Sequence, residues 1–293
     1  MEIREPERLT PVVGEADVIV VGSGPGGLSA AIAAARAGVS VILIERFGCF
    51  GGNITSVGVE GFAWYRHENT IEAGGLAFEY EQRAIESNAA VPESQSKSYE
   101  LDSEGFKVVA DNLVLKAGVR PMLHRAFCAP ILDGDEIKGV ITESKAGREA
   151  IIGKIIIDAT GDADVARRSG VKVFKNKKED MISASVMFHM SGVNKEEFMN
   201  EIERDPQKYS DWSDKNWQVQ TSGKEDDMFS PFLRKPFEKA KDSGLIDSDL
   251  QTISGTWGAI HDTGELTYLN LVHLNGIDGT DPESLTKGEI EGR

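Results

Sequence analysis

The sequence predicts an α/β protein with a central parallel sheet, a small antiparallel sheet beside it and a second, α+β region. Three observations predict it. Residues 17–27, Asp-Val-Ile-Val-Val-Gly22-Ser-Gly24-Pro-Gly-Gly27, form a strand and glycine turn. Residues 155–162, Ile-Ile-Ile-Asp-Ala-Thr-Gly161-Asp162, repeat the pattern far along the chain. Between them, residues 119–157 alternate apolar runs with turns at Asp133-Gly-Asp and Gly147, which suggests antiparallel strands attached to the parallel set.

Each element has a local reason. Residues 1–15 are polar and read as a loose lead-in, and 16–21 are a short apolar, β-branched strand. Residues 28–37 carry small, helix-forming side chains, and Gly38 stands where a helix C-cap belongs. A second strand follows over 39–44 and ends at Glu45. Residues 47–59 are a glycine-rich loop, a helix is expected after Ala73-Gly-Gly75, and 88–102 read as a polar surface loop. A helix over 106–117 stops at Gly118. Residues 155–157 read as a buried strand, 182–190 as a strand, and 194–202 as a helix capped by Asn194. Two strands are expected around the turn at residues 261–264.

The first motif has the physical parts of a dinucleotide cradle. Gly22 makes the tight turn, Gly24 lets a pyrophosphate approach the backbone, and Gly27 allows close helix–sheet packing. Unpartnered N–H groups at the helix start favour phosphate. Glu45 stands where a carboxylate can accept from ribose hydroxyls. The second motif places another glycine turn at a strand end beside the same crevice, so one nucleotide site is expected from two distant parts of the chain.

Bulk properties narrow the class. The chain has 293 residues, 40% hydrophobic and 27% charged, ordinary for a folded protein large enough for two domains. A formal net charge of −16 argues against nucleic acid and against anionic membrane surfaces. No apolar run approaches a membrane span, and the N-terminus lacks the apolar core of a secretory signal. The two cysteines, Cys49 and Cys128, have no redox or metal-ligand spacing, which fits the cytoplasm.

Taken together, the chain resembles the FAD-dependent oxidoreductase family within the glutathione-reductase-like flavoproteins. The resemblance rests on Gly22-Ser-Gly-Pro-Gly-Gly27, on Glu45-Arg46 followed by Gly51-Gly52-Asn53 and Thr55, and on Asp158-Ala-Thr-Gly161-Asp162-Ala-Asp164. It continues through residues 186–193 and 279–293. The resemblance implies a Rossmann-like FAD-binding domain, discontinuous over residues 16–62 and 105–170, with a substrate or cap region over 63–104 and 171–293. It implies that Gly22, Ser23, Gly24, Pro25, Gly26 and Gly27 hold the FAD pyrophosphate. Glu45 would bind the adenosine ribose, with Arg46 on the adenine side. Gly51, Gly52, Asn53 and Thr55 would run under the pyrophosphate towards the flavin. A backbone contact to adenine is expected near Phe127, and Ala159, Thr160, Gly161 and Asp162 would close over the cofactor. Family members continue past Arg293 into a further flavin-contacting segment, so a truncated chain is expected. It would hold FAD weakly and be completed by that segment or by a second copy of itself.

The activity implied is two-electron, hydride transfer between the flavin and a small-molecule substrate. Two other readings stand beside it: a nucleotide-binding chain without turnover, and an NAD-binding Rossmann enzyme. The Gly51-Gly52 loop and the second motif favour FAD over NAD. Cys49 has no second cysteine nearby, so dithiol chemistry is excluded. No catalytic residue is assigned. His67, His189, His261 and His273 are candidates, with Tyr65, Arg66 and Tyr268 near them in sequence, but no nucleophile–base spacing supports any of them. Asp162 and Asp164 make too poor a ligand set for a metal site, and none is expected. Trp212, Trp217, Trp257 and Phe229 read as core of the second region.

Overall fold

β1 (Val12–Val21) is the strand around which the first part of the chain is organised. In the computed structural model, every residue is described except 1, 2, 5, 62–65, 68–70, 73, 93–98, 205–238, 248–259, 271 and 273. Tyr65, His273, Trp212, Trp217, Trp257 and Phe229 lie outside the described residues. After β1 come α1 (Pro25–Arg36) and β2 (Val41–Ile44), then β3 (Arg66–His67), β4 (Ile71–Glu72) and α2 (Leu76–Glu86). β5 (Ala90–Pro92), β6 (Tyr99–Leu101) and α3 (Ser103–Lys116) follow. The next run is β7 (Arg120–Met122), β8 (Ala126–Asp133), β9 (Glu136–Ser144), β10 (Gly147–Asp158) and α4 (Asp164–Arg168). The last elements are β11 (Phe188–Met190), α5 (Lys195–Arg204), β12 (Leu266–Leu269) and α6 (Pro282–Gly292).

The main sheet has six strands in the order β7-β2-β1-β10-β9-β8. β1 pairs in parallel with β2 on one side and β10 on the other, and β2 pairs in parallel with β7. β10, β9 and β8 form an antiparallel meander. The expected small antiparallel sheet is therefore continuous with the parallel one, because the long β10 belongs to both. Its first half pairs with β9, and most of its length pairs with β1.

A central parallel strand is covered on both faces, so its residues are apolar without alternation. Residues 18–21 and 41–44 are all buried. One cluster joins Ile19, Val21, Ile42, Ile44, Met122, Val140 and Ile151 with Val165 of α4. α1 packs against β1, β2 and β10 and buries Gly27, Leu28, Ala31 and Ile32. Gly38, at φ +92°, turns the chain out of α1, as its position implied.

Several local expectations need correction. β1 begins at Val12, so part of the polar lead-in is strand. Residues 90–92 and 99–101, read as surface loop, pair as β5 and β6. The strand over 182–190 shortens to β11, with Ala184 bridged to Leu274. The end of β10 is less covered than its apolar run implies: Ile155 is 58% exposed because the pairing with β9 reaches only to Ile152. Pairing with neighbours, which local composition does not encode, is the reason in each case.

The chain separates into two compact units, Met1–Ser56 with Phe106–Phe174, and Val57–Gly105 with Lys175–Arg293. In the second, β11 pairs with β12, and Ile260, Leu266 and Leu269 form a small core with Val193, Phe198 and Met199. Asn194 accepts from Glu197 N at 3.1 Å at the start of α5, as a cap should. Asp281 caps α6 in the same way, accepting from Glu283 N at 3.1 Å. Before α6, the Asp278 carboxylate accepts from Lys175 Nζ at 2.7 Å, Thr280 N at 2.9 Å and Thr280 Oγ1 at 2.8 Å.

Two outcomes are expected. Replacing Ile19, which is fully buried, by alanine should cost about 2–5 kcal/mol in urea unfolding, as a core cavity does. Ile155→Ala should stay within about 0.5 kcal/mol. Equal midpoints for the two variants would contradict this core. The second outcome concerns acid. The Lys175 ammonium and the Thr280 donors lower the Asp278 pKa from 3.8 to about 2. A carboxyl group depressed on folding stabilises above its unfolded pKa and loses that contribution as pH falls through the folded one. The wild-type advantage over Asp278→Asn, followed by thermal melts from pH 6 to pH 2, should be constant above about pH 4 and vanish towards about pH 2. An advantage that grows on acidification would contradict it.

Candidate functional site

The carboxyl ends of β1, β2 and β10 lie side by side, and three loops leave from them. Val21 is paired with Ile44 on one side and Asp158 on the other. Gly22 N donates to Ile44 O at 2.8 Å, and Ala159 N donates to Val21 O at 2.8 Å, so the loops stay tied one residue beyond the strands. The two glycine-turn motifs, over a hundred residues apart in sequence, are thus adjacent.

Space, not only torsion, requires glycine here. Gly22 has φ +97°, and a Cβ on it would lie 2.2 Å from Ala159 O. A Cβ on Gly27 would lie 2.0 Å from Gly22 O, so α1 packs directly onto the turn. Gly24 and Gly26 differ: a Cβ on either meets nothing within 4 Å. Protein atoms enclose the flanks of the turn and leave its middle open. Gly24 is the N-cap of α1, Pro25 begins the helix, no side chain caps it and no acidic residue stands in its first turn. Its first N–H groups are free to meet an anion.

The second glycine loop is laid on this turn. Gly51 N donates to Ser23 O at 2.9 Å, and a Cβ on Gly52 would lie 2.6 Å from Gly24 Cα. Residues Asn53–Val57 form a π-helical turn. Asn53 is exposed there, whereas Thr55 is buried and its Oγ1 donates to Phe50 O at 2.6 Å, shaping the loop itself.

Glu45 is 6% exposed, and its carboxylate already has three donors. Oε2 accepts from Ser23 N at 2.9 Å and from Ser23 Oγ at 2.6 Å. Oε1 accepts from Phe47 N at 2.9 Å. Burying a carboxylate is tolerable only with such donors. Arg46 lies outside, its guanidinium 4.7 Å from the centre of the Phe47 ring. His124 stands beside them with φ +56°, and its ring packs on Gly48.

On the far side, the pairing of β8 with β9 slips between Phe127 and Ala129. At this irregularity Arg168 donates to Cys128 O and lies over the Phe127 ring at 5.6 Å. The turn of the second motif is organised by Asp158, a residue to which the resemblance assigns no role at the cofactor. Its Oδ1 accepts from Thr160 N at 3.1 Å and Thr160 Oγ1 at 2.7 Å, and its Oδ2 accepts from Ala166 N at 2.9 Å. Thr160 Oγ1 in turn accepts from Asp164 N at 2.9 Å. The signal was present in sequence: an aspartate followed two residues later by threonine and then glycine favours a side-chain-stabilised turn. Gly161 and Asp162 are exposed at the tip.

The structure brings Gly22 to Gly27, Glu45, Gly51, Gly52 and Ala159 together, all within the first unit. Of the histidine candidates, His189 and His261 have described surroundings within the second unit. His189 is exposed on β11 with its ring against Gly58, and His261 closes a turn by accepting from Gly264 N at 3.0 Å. Tyr268 has φ +54° and borders Gly61 beside Glu100. His189, His261 and Tyr268 belong to the second unit.

The glycine geometry generates a stability prediction. Gly22→Ala should lower the melting temperature of the apoprotein sharply, because both the positive φ and the contact with Ala159 O oppose a side chain. Gly24→Ala should leave it within a few degrees, having φ −59° and open space. Equal melting temperatures for the two variants would contradict the turn geometry.

Known proteins carry related sequences. The chain is 30% identical over 171 residues to the thiamine thiazole synthase of Saccharolobus islandicus, a match covering 54% of this chain and 60% of that protein. It is 30% identical over 192 residues to digeranylgeranylglycerophospholipid reductase 2 of Methanopyrus kandleri, covering 62% of this chain and 46% of that one. These matches therefore span less than two thirds of the relatives' own lengths. Among solved structures, a geranylgeranyl bacteriochlorophyll reductase-like protein from Thermoplasma acidophilum aligns with a TM-score of 0.49 at 23% identity, over 62% of this chain and 48% of that one. The profile of the FAD dependent oxidoreductases matches residues 17–293, nearly the whole chain. The chain belongs to the FAD-dependent oxidoreductase family, and the family's cofactor is FAD.

Proposed function

We propose that this chain binds FAD on the first unit and acts as an oxidoreductase on a small-molecule substrate. One observation carries the reading. The glycine turn at the end of β1 is closed to side chains at Gly22 and Gly27, and the loop laid on it is closed at Gly52, yet the turn is open at Gly24 and Gly26, at a helix start with no side-chain cap. A pyrophosphate fits that space, and the helix start favours its charge. Pro25 and Ser23 complete the turn, and Gly51, Gly52 and Asn53 run beside it. Glu45 would take one ribose hydroxyl, since an ionised carboxylate has about four acceptor sites and three are occupied. Arg46 and the irregular edge at Phe127 would face the adenine side. Asp158 holds Ala159, Thr160, Gly161 and Asp162 in place to close over the cofactor. Thr55 would act through the shape of its loop. When bound, FAD supplies two-electron, hydride transfer, while the protein supplies position and electrostatics.

No helix among the described residues is long and apolar enough to cross a membrane. Cys49 and Cys128 are both free thiols, which supports the reading of a reducing compartment such as the cytoplasm.

The test is direct. The purified chain, titrated with FAD, should quench flavin fluorescence saturably. Gly24→Val should abolish this, because its side chain enters the pyrophosphate space, while the apoprotein still folds and melts cooperatively, since a Cβ there meets nothing within 4 Å. FAD binding by Gly24→Val as tight as by the wild type would place the cofactor elsewhere.

A further inference from the structure

We propose that Ser23 is a positioning residue for the cofactor: it fixes the Glu45 carboxylate before any nucleotide arrives and leaves one direction on Oε1 for a ribose hydroxyl. The inference rests on the FAD reading above and deepens it. A glutamate side chain has three rotatable torsions and samples many orientations when unconstrained. Here the Oε2 atom accepts from both the backbone and the hydroxyl of Ser23, at 2.9 and 2.6 Å. The shorter contact lies in the range of a charge-assisted O–H···O⁻ bond. Phe47 N takes one side of Oε1 at 2.9 Å. Of about four acceptor directions on the carboxylate, Oε2 is filled and Oε1 keeps one.

The residue between the first two glycines is fully buried. A hydroxyl without solvent access needs an acceptor, and Glu45 supplies it. The carboxylate therefore loses its rotational freedom on folding and not on binding, which raises affinity through preorganisation. Ser23 would then act on the ribose through Glu45, without its hydroxyl touching the nucleotide.

The test uses the full chain with two nucleotides that share the pyrophosphate and differ at the ribose, ADP and 2′,3′-dideoxy-ADP, by titration calorimetry. Wild type should prefer ADP by about tenfold, the size of one hydrogen bond to a charged group. In Ser23→Ala the preference should fall below about threefold. In Glu45→Gln a further Ser23→Ala change should have little effect, since the two residues act as one unit. Ser23→Gly, run alongside, removes the same hydroxyl should the alanine variant fold poorly. A merely structural serine would weaken both nucleotides equally and leave the preference intact, which overturns the proposal. Equal binding of the two nucleotides by wild type overturns it as well, with FAD binding unaffected. Failure of wild type to bind FAD or ADP at all would instead overturn the reading on which it rests.

Discussion

The parallel pairing of β1 with β2 and β10 is the constraint on which the candidate site depends. It aligns Val21 with Ile44 and Asp158, so three chain exits emerge at one edge. The backbone bonds from Gly22 to Ile44 and from Ala159 to Val21 extend that alignment into the loops. A one-residue slip would move every side chain of β1 to the opposite face. Ile19 and Val21 would leave the cluster they form with Ile42, Ile44 and Ile151. Core packing and site geometry are thus fixed by the same register.

On that frame, the polar groups of the site satisfy each other locally. Glu45 takes up the donors of Ser23 and Phe47, and Asp158 takes up those of Thr160 and Ala166. Glu45 sits just beyond the end of β2 and Asp158 is the last residue of β10, and each holds a loop that has no ladder of its own. Polar groups partnered in this way rigidify a site, whereas unpartnered ones would destabilise it. The turn between Gly22 and Gly27 is therefore held without a side chain entering its open middle.

The second unit is built differently. Its strands are short pairs, its described core is small, and α6 is attached by a cap, by the Asp278 network and by close packing. Gly288 and Gly292 let that helix approach Ile277 and Val186. Backbone strain at Tyr268 and the exposed His189 belong to this unit.

Much of the first unit was legible in the sequence because its rules are local. An apolar β-branched run, Gly22-x-Gly24-x-x-Gly27 and a small-residue helix specify strand, turn and helix within about twenty residues, and Glu45 follows at the next strand end. The glycine turn after Asp158 was legible for the same reason. What composition could not show was pairing. It did not reveal that β1 starts at Val12, that residues 90–92 meet 99–101, or that Ile155 lies beyond the reach of β9 and is exposed. Nor could it show that the Glu45 carboxylate is largely occupied by Ser23 and Phe47, or that Thr55 bonds its own loop. A side chain's hydrogen-bond partners depend on which distant backbone folds beside it. Residue order therefore names the groups able to hold a dinucleotide, while the packed register of β1, β2 and β10 determines which of those groups still have a free valence.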